Sequence, residues 1–165
     1  MARNLTPVHP ELRQRARTFP RLPFNRWNVR LFQWLTRLQP ESKAPDDIQV
    51  DQLYVPSQDQ KHKIRLRIYR PKAMNPGAPV LLWMHGGGLI IGSPKQNDHT
   101  LFQIVRNTGI VIVSVDYRLA PNHPFPTPLD DCYVALKWVH AHAETLGIDP
   151  DRIAIGGESA GGGLA

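Results

Sequence analysis

The sequence predicts an α/β domain whose sheet is mostly parallel and covered by helices on both faces. Three observations carry that prediction. Residues 80–84 and 110–115 are near-continuous apolar runs, the pattern of strands buried on both sides rather than of strands with one wet face. A helical pattern lies between them over 98–107, and a longer one runs from Thr127 to Leu146 before a further short apolar strand at 152–156. Strand and helix therefore alternate, which is the order of a sheet wound with crossover helices.

Taken in order, the first 43 residues are broken by Pro7, Pro10, Pro20, Pro23 and Pro40, so they should form short helices. The best of these spans residues 25–38. There Trp27, Leu31, Trp34, Leu35 and Leu38 make one apolar stripe, with Arg26, Arg30 and Arg37 elsewhere on the helix. The stripe suits either docking onto a core or a lid over an apolar pocket. Two strands follow, at 48–55 and around Ile64, Leu66 and Ile68; the alternation of the latter with Arg65, Arg67 and Tyr69 predicts a half-exposed antiparallel strand near a sheet edge. Thr127 is placed as N-cap of the long helix, with Pro128 at its first position and Asp130 near its positive end. Gly147 ends that helix. Two units result: an N-terminal segment of short helices, 1–43, suited to docking or to a lid, and an α/β segment, 44–165.

Composition excludes several classes. The longest apolar runs fall far short of the roughly 20 residues that cross a bilayer. The formal charge of +6 is confined to one end: residues 1–43 hold nine Lys/Arg against Glu11 and Glu41, whereas the remainder is balanced to within one charge. A solvated helix face, an anionic surface or a cleaved Arg-rich targeting peptide all accommodate that cluster. No aromatic residues interleave the arginines as a stacking platform, and no zinc-ligand spacing exists, so nucleic acid is not an expected partner. The single Cys132 cannot form an internal disulfide, and the first thirty residues lack the apolar core of a secretory signal. A cytoplasmic protein is expected, of unspecified oligomeric state.

The chemistry is concentrated in two glycine clusters. Gly157-Glu158-Ser159-Ala160-Gly161 fits G-x-S-x-G between a predicted strand and a predicted helix. A serine on so sharp a turn needs nearly side-chain-free residues two before and two after it. The pentapeptide alone would arise in about one chain of this length in twenty, so its placement and partners carry the argument. His85-Gly86-Gly87-Gly88 directly follows the apolar strand; such a loop lets backbone N–H groups approach the negative oxygen of a tetrahedral intermediate. A phosphate cradle is the rival, but Gly86, Gly88 and Gly92 are one residue too long for G-x-G-x-x-G, and no Gly-Lys-Ser/Thr follows.

With Asp116-Tyr117-Arg118-Leu119-Ala120-Pro121, Pro124-Phe125-Pro126 and Asp149-Pro150-Asp151-Arg152 in between, these motifs resemble, in order and spacing, the hormone-sensitive lipase family of α/β-hydrolase carboxylesterases. The resemblance covers roughly residues 45–165 and, less closely, an N-terminal helical cap. It implies the α/β-hydrolase fold, Ser159 as nucleophile, oxyanion-hole N–H groups from Gly87, Gly88 and Ala160, loop support from His85 and Gly86, and the elbow glycines Gly157 and Gly161. It also implies a small-molecule ester substrate and neither metal nor organic cofactor. Glu158, Leu89, Asn122 and Gly163 depart from the family's commonest residues, and none removes a catalytic atom.

In this fold the acid and base follow the nucleophile. Only six residues follow Ser159, and none is Asp, Glu or His. The chain is thus expected to stop after the nucleophile elbow and to be inactive alone, with ester hydrolysis belonging to the complete protein. A non-catalytic ligand-binding relative or a remnant without function is the alternative. His85, His99, His123, His140 and His142 are expected to be structural or solvated, Asp116, Asp130 and Asp131 to hold the Arg118 loop and the helix start, and Cys132 to be an inert buried thiol.

Overall fold

The computed structural model describes residues 4–18, 25–38 and 40–165, so the expected breaks at Pro20 and Pro23 lie outside the described residues. Its strands are β1 (Ile48–Pro56), β2 (Lys63–Pro71), β3 (Ala78–Met84), β4 (Val111–Asp116) and β5 (Ile148–Gly157). They form one sheet in the order β1-β2-β4-β3-β5. The pairings β1/β2 and β2/β4 are antiparallel, while β4/β3 and β3/β5 are parallel. Only β2 therefore opposes the common direction.

Helix α3 (Asp98–Thr108) joins β3 to β4, and α4 (Thr127–Ala141) with α5 (Ala143–Leu146) joins β4 to β5. Since β4 and β5 flank β3, the winding reverses there, and right-handed crossovers put the two connections on opposite faces. The core divides accordingly. Leu66, Leu82 and Val113 pack with Cys132, Ala135 and Val139 of α4, while Tyr69 and Ile112 pack with Leu101, Phe102 and Val105 of α3. A reversal of winding opens a crevice at the strands' carboxyl ends, so the end of β3 is where a site is expected.

Three elements depart from the sequence prediction. β2 is not half-exposed, because the Arg67 side chain is only 2% exposed, in an ion pair with Asp98 at the start of α3. Asp98 accepts from Arg67 Nε and Nη2, both at 3.2 Å, from the Tyr69 hydroxyl at 2.7 Å and from Ser42 N at 3.3 Å. Arg67 also reaches Glu41 at 3.2 Å. Burial opposes ionisation of Glu41, but its bonds to Arg67, Lys95 and Gln52 outweigh this and hold the carboxyl below its usual range. An arginine paired with two carboxylates in this way can occupy a position that alternation assigns to solvent.

β5 differs in the other direction. The apolar run at 152–156 reads as a short buried strand, yet β5 lies at the edge of the described sheet and Ile155 is 49% exposed. It pairs with β3 alone among the described residues, so half its surroundings are open. The long helix begins at Thr127 with Pro126, not Thr127, as its N-cap. It breaks at His142, whose Nδ1 lies 2.8 Å from the Trp138 carbonyl and whose ring stacks on Trp138. Gly147 then ends α5 in the left-handed conformation, as its sequence position implied.

At the N-terminus a 3-10 turn, Pro10–Leu12, leads into α1 (Arg13–Thr18), and α2 (Arg26–Arg37) is capped by the Asn25 side chain, which accepts from Asn28 N. The apolar stripe of α2 faces outward. Trp27, Leu31, Trp34, Leu35 and Leu38 are all exposed, whereas Val29 is buried and Gln33 lies on the inner side. The face that docks is the one whose amide satisfies two loop carbonyls; turning the apolar stripe inward would leave those carbonyls without that donor. No helix among the described residues is long and apolar enough to cross a membrane.

The buried pair yields a stability prediction. Asp98→Asn removes the buried carboxylate from Arg67 and leaves it only the part-exposed Glu41; breaking a buried pair typically costs about 3–5 kcal/mol. Urea unfolding of the complete protein should show a correspondingly lowered midpoint; an unchanged midpoint would mean that the existing Glu41 pair and water suffice for Arg67.

Candidate active site

Two chain segments meet at the carboxyl end of β3. The first is the turn from β5 into α6 (Ala160–Leu164). Ser159 sits there at φ 52, ψ −117, outside the regions open to L-residues at low cost. Such strain persists only where the surroundings enforce it. The Glu158 N–H donates to the Met84 carbonyl at 3.1 Å, drawing the turn onto β3. A Cβ on Gly161 would stand 2.1 Å from that same oxygen, and one on Gly157 would stand 2.4 Å from the Gly161 carbonyl carbon. Both glycines are therefore dictated by backbone approach.

The second segment is the loop after β3. A Cβ on Gly86 would lie 3.1 Å from the Glu158 carbonyl oxygen and 3.5 Å from Ser159 Cβ, so the loop abuts the serine. Gly87 and Gly88 take φ 125 and 65, and Leu89 follows at φ 62. The loop's carbonyls are occupied. Gly86 O lies 2.8 Å from His85 Nδ1 and accepts from Gln96 Nε2 at 3.3 Å. Gly87 O accepts from Ile90 N and Ile91 N, and Leu89 O from Ala120 N. In a trans peptide N–H and C=O point opposite ways. Fixing the carbonyls of Gly86 and Gly87 thus fixes the directions of the N–H groups of Gly87 and Gly88.

His85 is fully buried. Its ring stacks on Tyr117 with centroids 4.3 Å apart, and the Tyr117 hydroxyl donates to the His85 carbonyl at 2.6 Å. A carbonyl can only accept, which assigns the ring proton to Nδ1. Desolvation holds the imidazole below its ordinary pKa despite the Gly86 bond and nearby carboxylates. It is a neutral loop brace. Burial likewise pushes the Tyr117 phenol up, with the Cys132 and Asp116 charges adding to it.

The other sequence candidates are engaged elsewhere. His99 lies against Gln103 on α3, and His123 packs edge-on against His62. Asp131 accepts from Arg118 N at 2.9 Å and from its guanidinium at 2.7 Å, as expected of the Arg118 loop, but Asp116 instead pairs with Arg65 at 2.9 Å. Cys132 is buried and its thiol is pushed up to about 12 by desolvation and the Asp131 charge. Glu158 accepts from Asn97 Nδ2 at 2.7 Å, and Trp83 Nε1 donates to Asn97 at 3.3 Å. Sequence reasoning missed Gln33, Gln96, Asn97 and Tyr117. Gln96 had a readable signal, since Ser93-Pro94-Lys95-Gln96 fits a capping box and Ser93 N donates to Gln96 Oε1 at 3.3 Å. A cavity of about 560 Å³ lies between Gln33, Lys63, Arg118 and His123 and does not include Ser159.

A strained serine elbow facing a glycine loop at the switch point of a wound sheet defines an α/β-hydrolase. Comparison with known proteins agrees: an alpha/beta hydrolase fold family matches residues 81–165. Carboxylesterase NlhH of Mycobacterium tuberculosis is 42% identical over 102 residues, which cover 62% of this chain and 32% of that protein. Ethyl acetate hydrolase of Pseudomonas putida is 41% identical over 106 residues, 63% of this chain and 33% of that one. A solved bacterial heroin esterase matches 94% of this chain and 50% of its own at TM-score 0.75 and 38% identity. The chain belongs to the alpha/beta hydrolase fold family. It spans about a third of the length of these sequence relatives and half that of the solved esterase.

The buried His85 sets a pH dependence. Its folded pKa lies below the ordinary value of 6.5, so the unfolded chain binds a proton that the folded one refuses, and stability falls as pH drops below about 6.5. Replacing His85 by Gln should flatten that slope in urea midpoints compared between about pH 7 and about pH 5. An unaltered slope would assign it to other groups.

Proposed function

We propose that the protein carrying this chain hydrolyses small carboxylic esters by acyl transfer to Ser159 and then to water. The observation that carries this reading is the serine's strained turn against the glycine loop. In the proposed reaction the Ser159 hydroxyl attacks the ester carbonyl, and negative charge gathers on the carbonyl oxygen as the tetrahedral centre forms. The N–H groups of Gly87, Gly88 and Ala160 stabilise that charge; the first two are held in direction by His85, Gln96 and the Ile90–Ile91 turn before substrate arrives. Preorganised donors of this kind need no reorientation at the moment of reaction. Residues 1–43 form the cap over the site in this reading. The base that takes the serine proton, and the acid that orients it, are assigned to no residue of this chain.

The test is hydrolysis of a chromogenic short-acyl ester by the complete protein. Ser159→Ala should leave the circular dichroism unchanged and reduce turnover to background, with loss of fluorophosphonate labelling. Retention of more than a small fraction of activity by the folded variant would overturn the assignment, and a wild type that binds esters without cleaving them would favour a non-catalytic relative.

A second variant tests the loop. A Cβ on Gly87 would meet the Ile91 carbonyl oxygen at 1.9 Å, so Gly87→Ala must displace the N–H. Turnover should fall by about 10² to 10³, the usual cost of one such donor, with little change in KM. A raised KM at unchanged turnover would remove the loop from the oxyanion hole.

A further inference from the structure

Gln33 of α2 is half-buried beneath the loops that border the site. Its Nε2 donates to two carbonyls, Ile90 O at 2.7 Å and Ala120 O at 2.8 Å, both short for an amide donor. An amide nitrogen carries two hydrogens, so both are used. The two acceptors lie on different loops, already joined by Ala120 N donating to Leu89 O at 2.9 Å. One side chain from the N-terminal segment thus ties together the loop after β3 and the loop after β4.

The first of these bonds continues inward. The Ile90 carbonyl and the Ile91 N–H belong to one peptide unit. That N–H donates to the Gly87 carbonyl at 3.0 Å, and the Gly87 carbonyl shares a peptide unit with the Gly88 N–H. The path from Gln33 runs through two rigid peptide planes, each accepting on one side and donating on the other, and ends on the Gly88 N–H, an oxyanion-hole donor in the proposed reaction. Fixing the outer carbonyl restrains the tilt of both planes, and hydrogen bonds in series polarise one another. The Gly87 N–H is served by a separate path, through the Gly86 carbonyl held by His85 and Gln96.

We infer that Gln33 is a positioning residue for the oxyanion loop, acting on the Gly88 N–H through the Ile90–Ile91 peptide, an inference that rests on the esterase reading above. It touches no reacting atom. Its removal acts on how well the loop is aimed when charge develops, not on how tightly substrate enters. The N-terminal segment is thereby part of the catalytic apparatus by position, because the loop after β3 is held from outside by α2 as well as from inside by His85.

The experiment compares Gln33→Leu, which keeps bulk and deletes both donors, with Gln33→Lys, which restores a donor on a flexible stem, in the complete protein. Gln33→Leu should lower kcat about tenfold, a modest share of the ~10²-fold that a full 1 Å misplacement can cost, with KM changed less than about twofold. Gln33→Lys should recover most of that loss. Amide hydrogen exchange across residues 87–91 should quicken in Gln33→Leu while that of β2 and β4 stays as in the wild type. A raised KM at constant kcat, or unaltered exchange at 87–91, overturns the inference and leaves Gln33 a wall of the neighbouring cavity. Faster exchange throughout the sheet also overturns it, since the residue would then only support the fold. Should the wild type prove inactive on every ester tried, the esterase reading fails, while the exchange measurement still decides whether Gln33 holds the loop.

Discussion

The last carbonyl of β3, on Met84, is approached so closely by the turn after β5 that no side chain fits between them. Glu158 N donates to it, and Gly161 lies where any Cβ would meet it at 2.1 Å. This contact holds the two parallel strands in register at their carboxyl ends and forces Ser159 into its positive φ. Strain of this sort costs on the order of 1–3 kcal/mol at one residue and is sustained by the rest of the sheet. Everything else at the site is arranged around that contact, including the loop after β3, which begins at the next residue.

The loop itself illustrates how a backbone can be aimed. Glycines permit the conformations at 87 and 88, but permission does not select a direction. Selection comes from acceptors: each carbonyl from Gly86 to Ile90, apart from that of Gly88, has a named donor. These donors come from the end of β3, from the loop's own Ile90 and Ile91, from the turn before α3, from the loop after β4 and from α2. A tight turn is thus held by its own neighbours and by three more distant parts of the chain, which fixes the direction of its peptide dipoles.

A second set of polar groups works far from the site. Arg67, Asp98, Tyr69 and Glu41 join the middle of β2 to the start of α3 and to the linker ahead of β1. Because α3 begins directly after the turn bearing Gln96 and Asn97, this buried pair also sets where those two side chains sit. Burial of charge is tolerable here because the carboxylate accepts from three residues at once.

The sequence by itself determined the strand and helix order, the buried character of β3 and β4, the crossover at α3, the glycine cap at Gly147 and both glycine clusters, because these depend on local periodicity and on backbone conformations few residues can adopt. What it could not determine follows from neighbours remote in the chain. Alternation placed Arg67 in solvent, but a carboxylate 31 residues away draws it inside. Periodicity left the Trp27 stripe of α2 to a core or to a lid over a pocket; among the described residues the stripe is exposed and two loop carbonyls hold Gln33 inward. Composition and spacing report what a segment can bury; which face is buried, and by whom, is decided only when tertiary partners supply the hydrogen bonds that an unpartnered polar group cannot do without.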